Sequence, residues 1–292
     1  ICDERSHGYY NFSYFYICLE KSSKRTMKKN ILSILIIFLL LLFAVTPILF
    51  ALLGSFKELK DIIHPIPKLI FKPTLENYVT VLTTDSILRG IQNSTIIVGI
   101  SLLIGIIVGI PAAYAIARYK PRGSDDLRFF YLSIRFMPPV AIAIPFIGIF
   151  LDLGMYDTKT AIIITYLPIT ISSIIWLSIP AFEYVPRDIE EAAEIEGCTY
   201  FEIFRKIALP VASPSLVGAI VFTFVITWNE LLIALSLSSR NVTLPVVAAS
   251  FTSLGFETPW GVINASAILL ALPPLLFVFV IINFIKKFIS KE

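Results

Sequence analysis

Glu191-Ala192-Ala193-Glu194-Ile195-Glu196-Gly197, followed after nine residues by Ile207-Ala208-Leu209-Pro210, is a polar insertion between two hydrophobic segments of membrane length. Its setting decides the fold. Of 292 residues, 57% are hydrophobic and 15% charged, and the mean hydropathy is +0.83. Soluble domains run at roughly half apolar and about a quarter charged, so this composition is that of an integral membrane protein.

Working outward from that stretch, six runs reach the roughly 20 residues needed to cross a bilayer core of about 30 Å. They extend approximately over Ile31–Leu53, Ser94–Ala117, Phe129–Phe150, Ala161–Phe182, Val211–Leu235 and Ile263–Ile285. None alternates with the period of two that a barrel strand requires, and each can satisfy its own backbone hydrogen bonds as a helix. The expected fold is an all-α membrane protein with six transmembrane helices. Gly105, Gly109 and Pro111 in the second run, and Pro138-Pro139 in the third, mark expected kinks and close helix contacts.

Sidedness follows from the positive-inside bias. Assigning alternate loops to each side puts 16 Lys and Arg in 73 positions on one side (1–30, 118–128, 183–206, 285–292) and 7 in 74 positions on the other. Both termini and the Glu191 stretch are therefore expected in the cytoplasm, in a multi-pass protein of the cell membrane. The first Met is Met27, and Met27-Lys28-Lys29-Asn30 is how a chain with a short basic tail usually begins, so residues 1–26 are expected to be upstream of the true start or a partly disordered extension, the alternative being a genuine cytoplasmic tail. Without them the inside count falls to 12 and the orientation stands. The resulting partition is an N-terminal cytoplasmic extension (1–30), a first span (31–53), an outer loop (54–90), a core membrane domain (91–285) containing the cytoplasmic loop 183–210, and a basic tail (286–292). In the outer loop, Thr74 is placed to cap a surface helix with Glu76 in its first turn.

Several chemistries are excluded. A net charge of +3 gives no nucleic-acid footprint. Cys2, Cys18 and Cys198 lack metal-ligand spacing, and His7 and His64 both lie outside the spans, so no metal or cofactor site is expected. No Gly-Lys pair occurs, hence no Walker-type phosphate loop and no ATP hydrolysis by this chain. A secondary transporter would need an internal repeat and coupling-ion ligands near the midplane, and a membrane enzyme a catalytic cluster at one interface; the sequence offers neither.

The quoted stretch itself reads as helix, turn, helix. Pro186 suits a helix start, and Asp188, Glu190 and Glu191 lie in the first turns, where the dipole favours carboxylates. Ala192 and Ala193 keep one face small enough for close approach by another protein, and Gly197 can take the left-handed conformation that ends the helix. Thr199-Tyr200-Phe201-Glu202 is a capping box opening a second helix, which Pro210 is expected to stop.

The pattern Glu-Ala-Ala, three residues, Gly, nine residues, Ile-x-Leu-Pro resembles the cytoplasmic loop signature of permease subunits in binding-protein-dependent ABC importers. Glu191, Ala192, Ala193, Gly197, Ile207, Leu209 and Pro210 match every fixed position. Asn93-Ser94, Pro111-Ala112-Ala113-Tyr114-Ala115-Ile116-Ala117-Arg118 and Trp228-Asn229-Glu230 are similar to the carbohydrate branch, specifically the second permease of the maltose-type system. The likeness covers roughly 74–282. It implies a type I importer fold and a coupling helix that docks on a cytosolic ABC ATPase dimer, with Glu191 meeting a basic residue there. It implies two further partners, a second permease and an extracytoplasmic sugar-binding protein. The tail departs from the pattern, since Ile285 to Glu292 contains no Gly.

Two membrane charges remain. Arg135 lies about 9 Å, six residues, inside the cytoplasmic end of the third span, where its stem allows snorkelling to the interface. Trp228, Asn229 and Glu230 combine an aromatic face with hydroxyl-binding polar atoms, the chemistry of a sugar path; the competing reading is an interface-belt Trp and a helix-packing Glu. A sugar is the expected cargo, with a polyol or glycerol phosphate as the alternative.

Overall fold

The computed structural model describes residues 12–251 and 258–289, with side chains over 33–251 and 258–283. Residues 1–11, with Cys2 and His7, and 290–292 of the basic tail lie outside the described residues. All the regular structure there is helical: α1 (Phe12–Ser55), α2 (Leu59–Ile62), α3 (Glu76–Thr83), α4 (Asp85–Tyr119), α5 (Ser124–Phe136), α6 (Pro139–Asp152), α7 (Lys159–Glu183), α8 (Arg187–Ile195), α9 (Tyr200–Ile203), a π turn (Phe204–Ala208), α10 (Leu209–Trp228), α11 (Leu232–Leu237), α12 (Leu244–Ser250) and α13 (Trp260–Ile289). Among the described residues, five helical stretches are long and apolar enough to span a membrane, six if the bent pair α5 and α6 counts as one.

The chain divides into two units at Leu53 and Gly54. The first carries most of α1, whose stretch from Ile34 to Leu53 exposes an apolar surface along its length. In the second, α4 and α7 pack side by side through Gly105 and Gly109, which meet Thr170 and Ile174. Close approach through small residues is how membrane helices gain dispersion contact where lipid removes the hydrophobic drive. Around this pair the core gathers Ile97, Ile110, Ala113, Ile162, Ile175, Phe182, Leu216 and Phe224, all buried.

Four sequence expectations change. The third run is broken rather than kinked: α5 and α6 meet at 85° across Met137 and Pro138. Pro138 and Pro139 remove two backbone donors, and a residue before proline is pushed to extended backbone, as Met137 (ψ 128°) and Pro138 (ψ 133°) are. The fifth helix ends at Trp228, not Leu235, because the Glu230 carboxylate takes the backbone N–H groups of Ile233 (3.0 Å) and Ala234 (3.4 Å) and opens α11. Pro210 does not stop its helix. The wider π turn just before it relaxes the ladder where proline lacks a donor, and the chain continues as one span from Tyr200 to Trp228. The second helix starts at Asp85 rather than Ser94.

The surface helix after Thr74 forms as α3, with the Thr74 hydroxyl accepting the Glu76 N–H at 3.1 Å. It is tied down by Asn77, whose amide donates to the carbonyls of Ser55 (3.0 Å) and Lys57 (2.9 Å), and by Tyr78, bonded to the Ser55 hydroxyl at 2.8 Å. Asp157, at φ 60°, clamps the segment after α11. Its carboxylate accepts from the Ser238 hydroxyl (2.5 Å) and the N–H groups of Ser239 and Arg240 (3.0 Å each). Those bonds, the Ser238 hydroxyl foremost, hold the Asp157 carboxyl down at about 2.

Candidate functional site

The Glu191 stretch folds as its residues dictate. Pro186 precedes α8, Gly197 turns the chain at φ +88°, and α9 opens with a complete capping box: Thr199 accepts the Glu202 N–H while the Glu202 carboxylate accepts the Thr199 N–H. A Cβ at Gly197 would meet nothing within 4 Å, so backbone conformation alone requires glycine there.

On α8, Glu191 and Ala192 face solvent and Ala193 is buried, so the two alanines serve different sides. Ile195 is 87% exposed and Tyr184, just before the helix, 88%. Ile207, Leu209 and Pro210 fall in the π turn and the start of α10, half-buried beneath the helix pair. The seven motif residues are thus one compact feature, with Glu191, Ala192 and Gly197 on its open side.

The structure adds residues that the motif omits. Glu190 turns inward, and its Oε1 accepts from Arg118 Nε at 2.8 Å and Nη2 at 2.6 Å. The Tyr114 hydroxyl donates to its Oε2 at 3.0 Å. The side chains of Arg118 and Glu190 are only 8% and 11% exposed. Tyr114 packs in turn on Phe182 and Phe204, at 5.3 and 5.0 Å between ring centroids. In the sequence Glu190 stands among the helix-dipole carboxylates and Arg118 at the end of the Pro111–Arg118 stretch. Their pairing across 72 residues had no local signal.

The residues at the other proposed site separate. Trp228 is 2% exposed, stacks on Phe224 at 5.6 Å and donates its indole N–H to the Leu270 carbonyl at 3.1 Å. Asn229 is exposed, bonded to Val225. Glu230, besides capping α11, accepts the Tyr166 hydroxyl at 3.0 Å. It lines a cavity of about 110 Å³ with Tyr166, Thr227, Ile226, Met137 and Arg135, beside the break between α5 and α6. The Arg135 guanidinium lies over the rings of Phe222 (4.6 Å) and Trp176 (5.4 Å), and its Nη1 is buried without a hydrogen-bond partner. Aromatic faces attract a cation held over them. Asn93 and Ser94, singled out for the same resemblance, hold the turn into α12 through Val242 O (3.0 Å) and Leu244 N (2.8 Å).

Among the described residues no group of His, Cys, Asp and Glu is arranged to hold a metal. The described residues thus form a multi-span helical bundle with an exposed helix–turn–helix between two membrane-length helices. The chain belongs to the family of binding-protein-dependent transport system inner membrane components, whose model matches residues 101–291. It is 35% identical over 210 residues to the trehalose transport system permease protein of Mycobacterium tuberculosis, covering 71% of this chain and 77% of that one. It is 28% identical over 249 residues to the trehalose/maltose transport system permease protein of Thermococcus litoralis, covering 84% and 89%. Among solved structures it resembles a chain of a bacterial ABC transporter for the import of alginate, with TM-score 0.68 at 18% identity over 97% of this chain and 99% of that one. A chain of the methionine ABC transporter in an inward-facing conformation matches at TM-score 0.60 and 19% identity, over 69% and 95%.

Proposed function

We propose that this chain forms, with a second permease, the membrane path of an ABC importer for a sugar delivered by an extracytoplasmic binding protein. ATP hydrolysis on a separate cytosolic ATPase dimer drives it, with α8 as the coupling helix. The observation that carries this reading is α8 itself: a short acidic helix that buries one residue of nine and offers Glu191, Ala192 and Ile195 to a partner. An exposed surface of that kind between two spans is a place to receive force from another subunit. Both termini are cytoplasmic in this reading, as the Lys and Arg bias requires.

The names of the relatives favour a mono- or oligosaccharide as cargo. The cavity beside the α5–α6 break is consistent with that class, because Arg135, Tyr166, Thr227 and Glu230 line it with groups able to hydrogen-bond hydroxyls. At about 110 Å³ it is well below the roughly 300 Å³ of a small-ligand pocket, so a complete path needs the second permease. Glu230 is the member of the Trp228-Asn229-Glu230 trio that belongs to this path, whereas Trp228 supports it by packing.

The test is reconstitution with the ATPase, second permease and binding protein in proteoliposomes. Loaded binding protein should stimulate ATP hydrolysis, and uptake of radiolabelled trehalose or maltose should follow. Glu191→Ala and Gly197→Pro should lower uptake per ATP while leaving the chain in the membrane. Normal coupling in both variants would refute the docking role of α8.

A further inference from the structure

The contacts around Glu190 assign a mechanical role to two residues outside the matched motif. Of the nine residues of α8 only Ala193 is buried, so apolar packing alone holds the helix weakly against the membrane bundle. What ties it down is ionic. Arg118, in the last turn of α4, meets α8 at two residues and the segment just before it. It grips Glu190 with Nε and Nη2, its Nη2 also donates to the Val185 carbonyl (2.9 Å) just before Pro186, and its own carbonyl accepts from Arg187 Nη2 (3.3 Å). Tyr114, one turn earlier on α4, holds the other Glu190 oxygen. Exposed ion pairs are worth little, but one enclosed by protein cannot lose a single partner without stranding the other charge. The buried residues Ala113, Ile116 and Ala117 anchor that end of α4 in the core.

We propose that Arg118 and Glu190 form a strut making α8 and the end of α4 one rigid body, so that displacement of α8 is delivered to α4 and through it to α7. Arg118, Glu190 and Tyr114 are positioning residues. They touch neither ATP nor cargo and act by fixing where α8 moves. The neighbouring carboxylates divide the work: Glu191 faces the partner and Glu190 faces the bundle. This inference rests on the reading of α8 as the ATPase contact.

The experiment uses the full importer in proteoliposomes, with the three native cysteines of this chain replaced by serine. Spin labels at Ala115→Cys on α4 and Asp188→Cys on α8, both exposed, report the distance between the two helices with and without trapped ATP. A rigid body predicts a change under about 2 Å, against the larger shifts of independently moving elements. In Glu190→Gln, the ATPase should still co-purify and hydrolyse ATP, while trehalose uptake per ATP falls by about tenfold or more and the label distances broaden. Arg118→Lys, which keeps the charge but loses the fork, should fall by less, about two- to fivefold. A wild-type distance change above about 5 Å, or uptake per ATP in Glu190→Gln within about twofold of wild type, overturns the strut. If Glu190→Gln fails to accumulate in the membrane, the wild-type distances decide alone. Should Glu191→Ala and Gly197→Pro uncouple while Glu190→Gln does not, only the strut fails; if all three couple normally, the docking reading fails with it.

Discussion

Gly109→Ala places one methyl group between the two helices at the centre of the bundle. A Cβ there would lie 2.7 Å from Ile174 Cγ2 and 3.0 Å from Ile174 Cβ. Carbon atoms prefer about 3.5–4.0 Å, so α4 and α7 must separate by roughly 0.8 Å or Ile174 must leave its rotamer. Overpacking of this kind costs about 1–3 kcal/mol. Against it stands the gain of about 1 kcal/mol from replacing a mid-helix glycine by alanine. The net sign is set by the clash, and an internal control isolates it. Gly99 lies on the same helix with nothing within 4 Å of its Cβ, so Gly99→Ala receives the propensity gain without the clash. The two variants should differ by about 1–3 kcal/mol, with Gly99→Ala the more stable. Gly105→Ala should fall between them, since its nearest contact is Thr170 Cβ at 3.2 Å. The assay is reversible unfolding of the purified chain in mixed detergent–lipid micelles. Ile174→Ala should be costly alone yet relieve part of the Gly109→Ala penalty in the double variant, because it removes the atom at 2.7 Å. Equal stability of Gly109→Ala and Gly99→Ala would refute the close-packing account.

Other perturbations read out separate features. Gly197→Asn should retain transport coupling, since asparagine tolerates the left-handed backbone, while Gly197→Val should lose it at a strain of roughly 1–2 kcal/mol; equal coupling in the two would show that φ +88° is not required. Trp228→Phe should lower unfolding stability by about 0.5–1.5 kcal/mol through the lost bond to Leu270 O, with uptake kinetics unchanged; a raised apparent KM for the proposed cargo would return Trp228 to the path. Glu230→Gln should change uptake, and an unaltered affinity and rate would remove Glu230 from it. Asp157→Asn should lower the melting temperature at neutral pH. Because the folded carboxyl is held at about 2, its contribution is complete above the ordinary value of about 4 and disappears as pH falls towards 2, so wild type and variant should converge over that interval. A constant difference across it would remove the clamp from the stability of that loop.

How much of this was legible beforehand varies by element. The apolar runs located every long helix, and the caps of the polar stretch were readable residue by residue: Pro186 before α8, Gly197 at its end, Thr199 and Glu202 opening α9. The expected stop at Pro210 failed because a π turn lies just upstream, and such turns have no local sequence signature. The double proline at 138–139 announced a distortion, but whether two prolines kink or break a helix depends on what its halves pack against. The ring contacts of Arg135 and the burial of Trp228 were not legible for a related reason, since an aromatic or cationic side chain in a span is assigned to lipid, interface or core only by its neighbours.

The sequence by itself determined the membrane class, the helical period and the position of the exposed polar loop, because hydropathy, backbone satisfaction in lipid and helix capping act over a few residues. Tertiary structure alone decided that Glu190 belongs to Arg118 and Tyr114, that Trp228 is core, and that Arg135 and Glu230 share a cavity. Those pairings join residues dozens of positions apart, and which charges meet depends on helix rotation and separation, which in this bundle are set by contacts as small as Gly109 against Ile174.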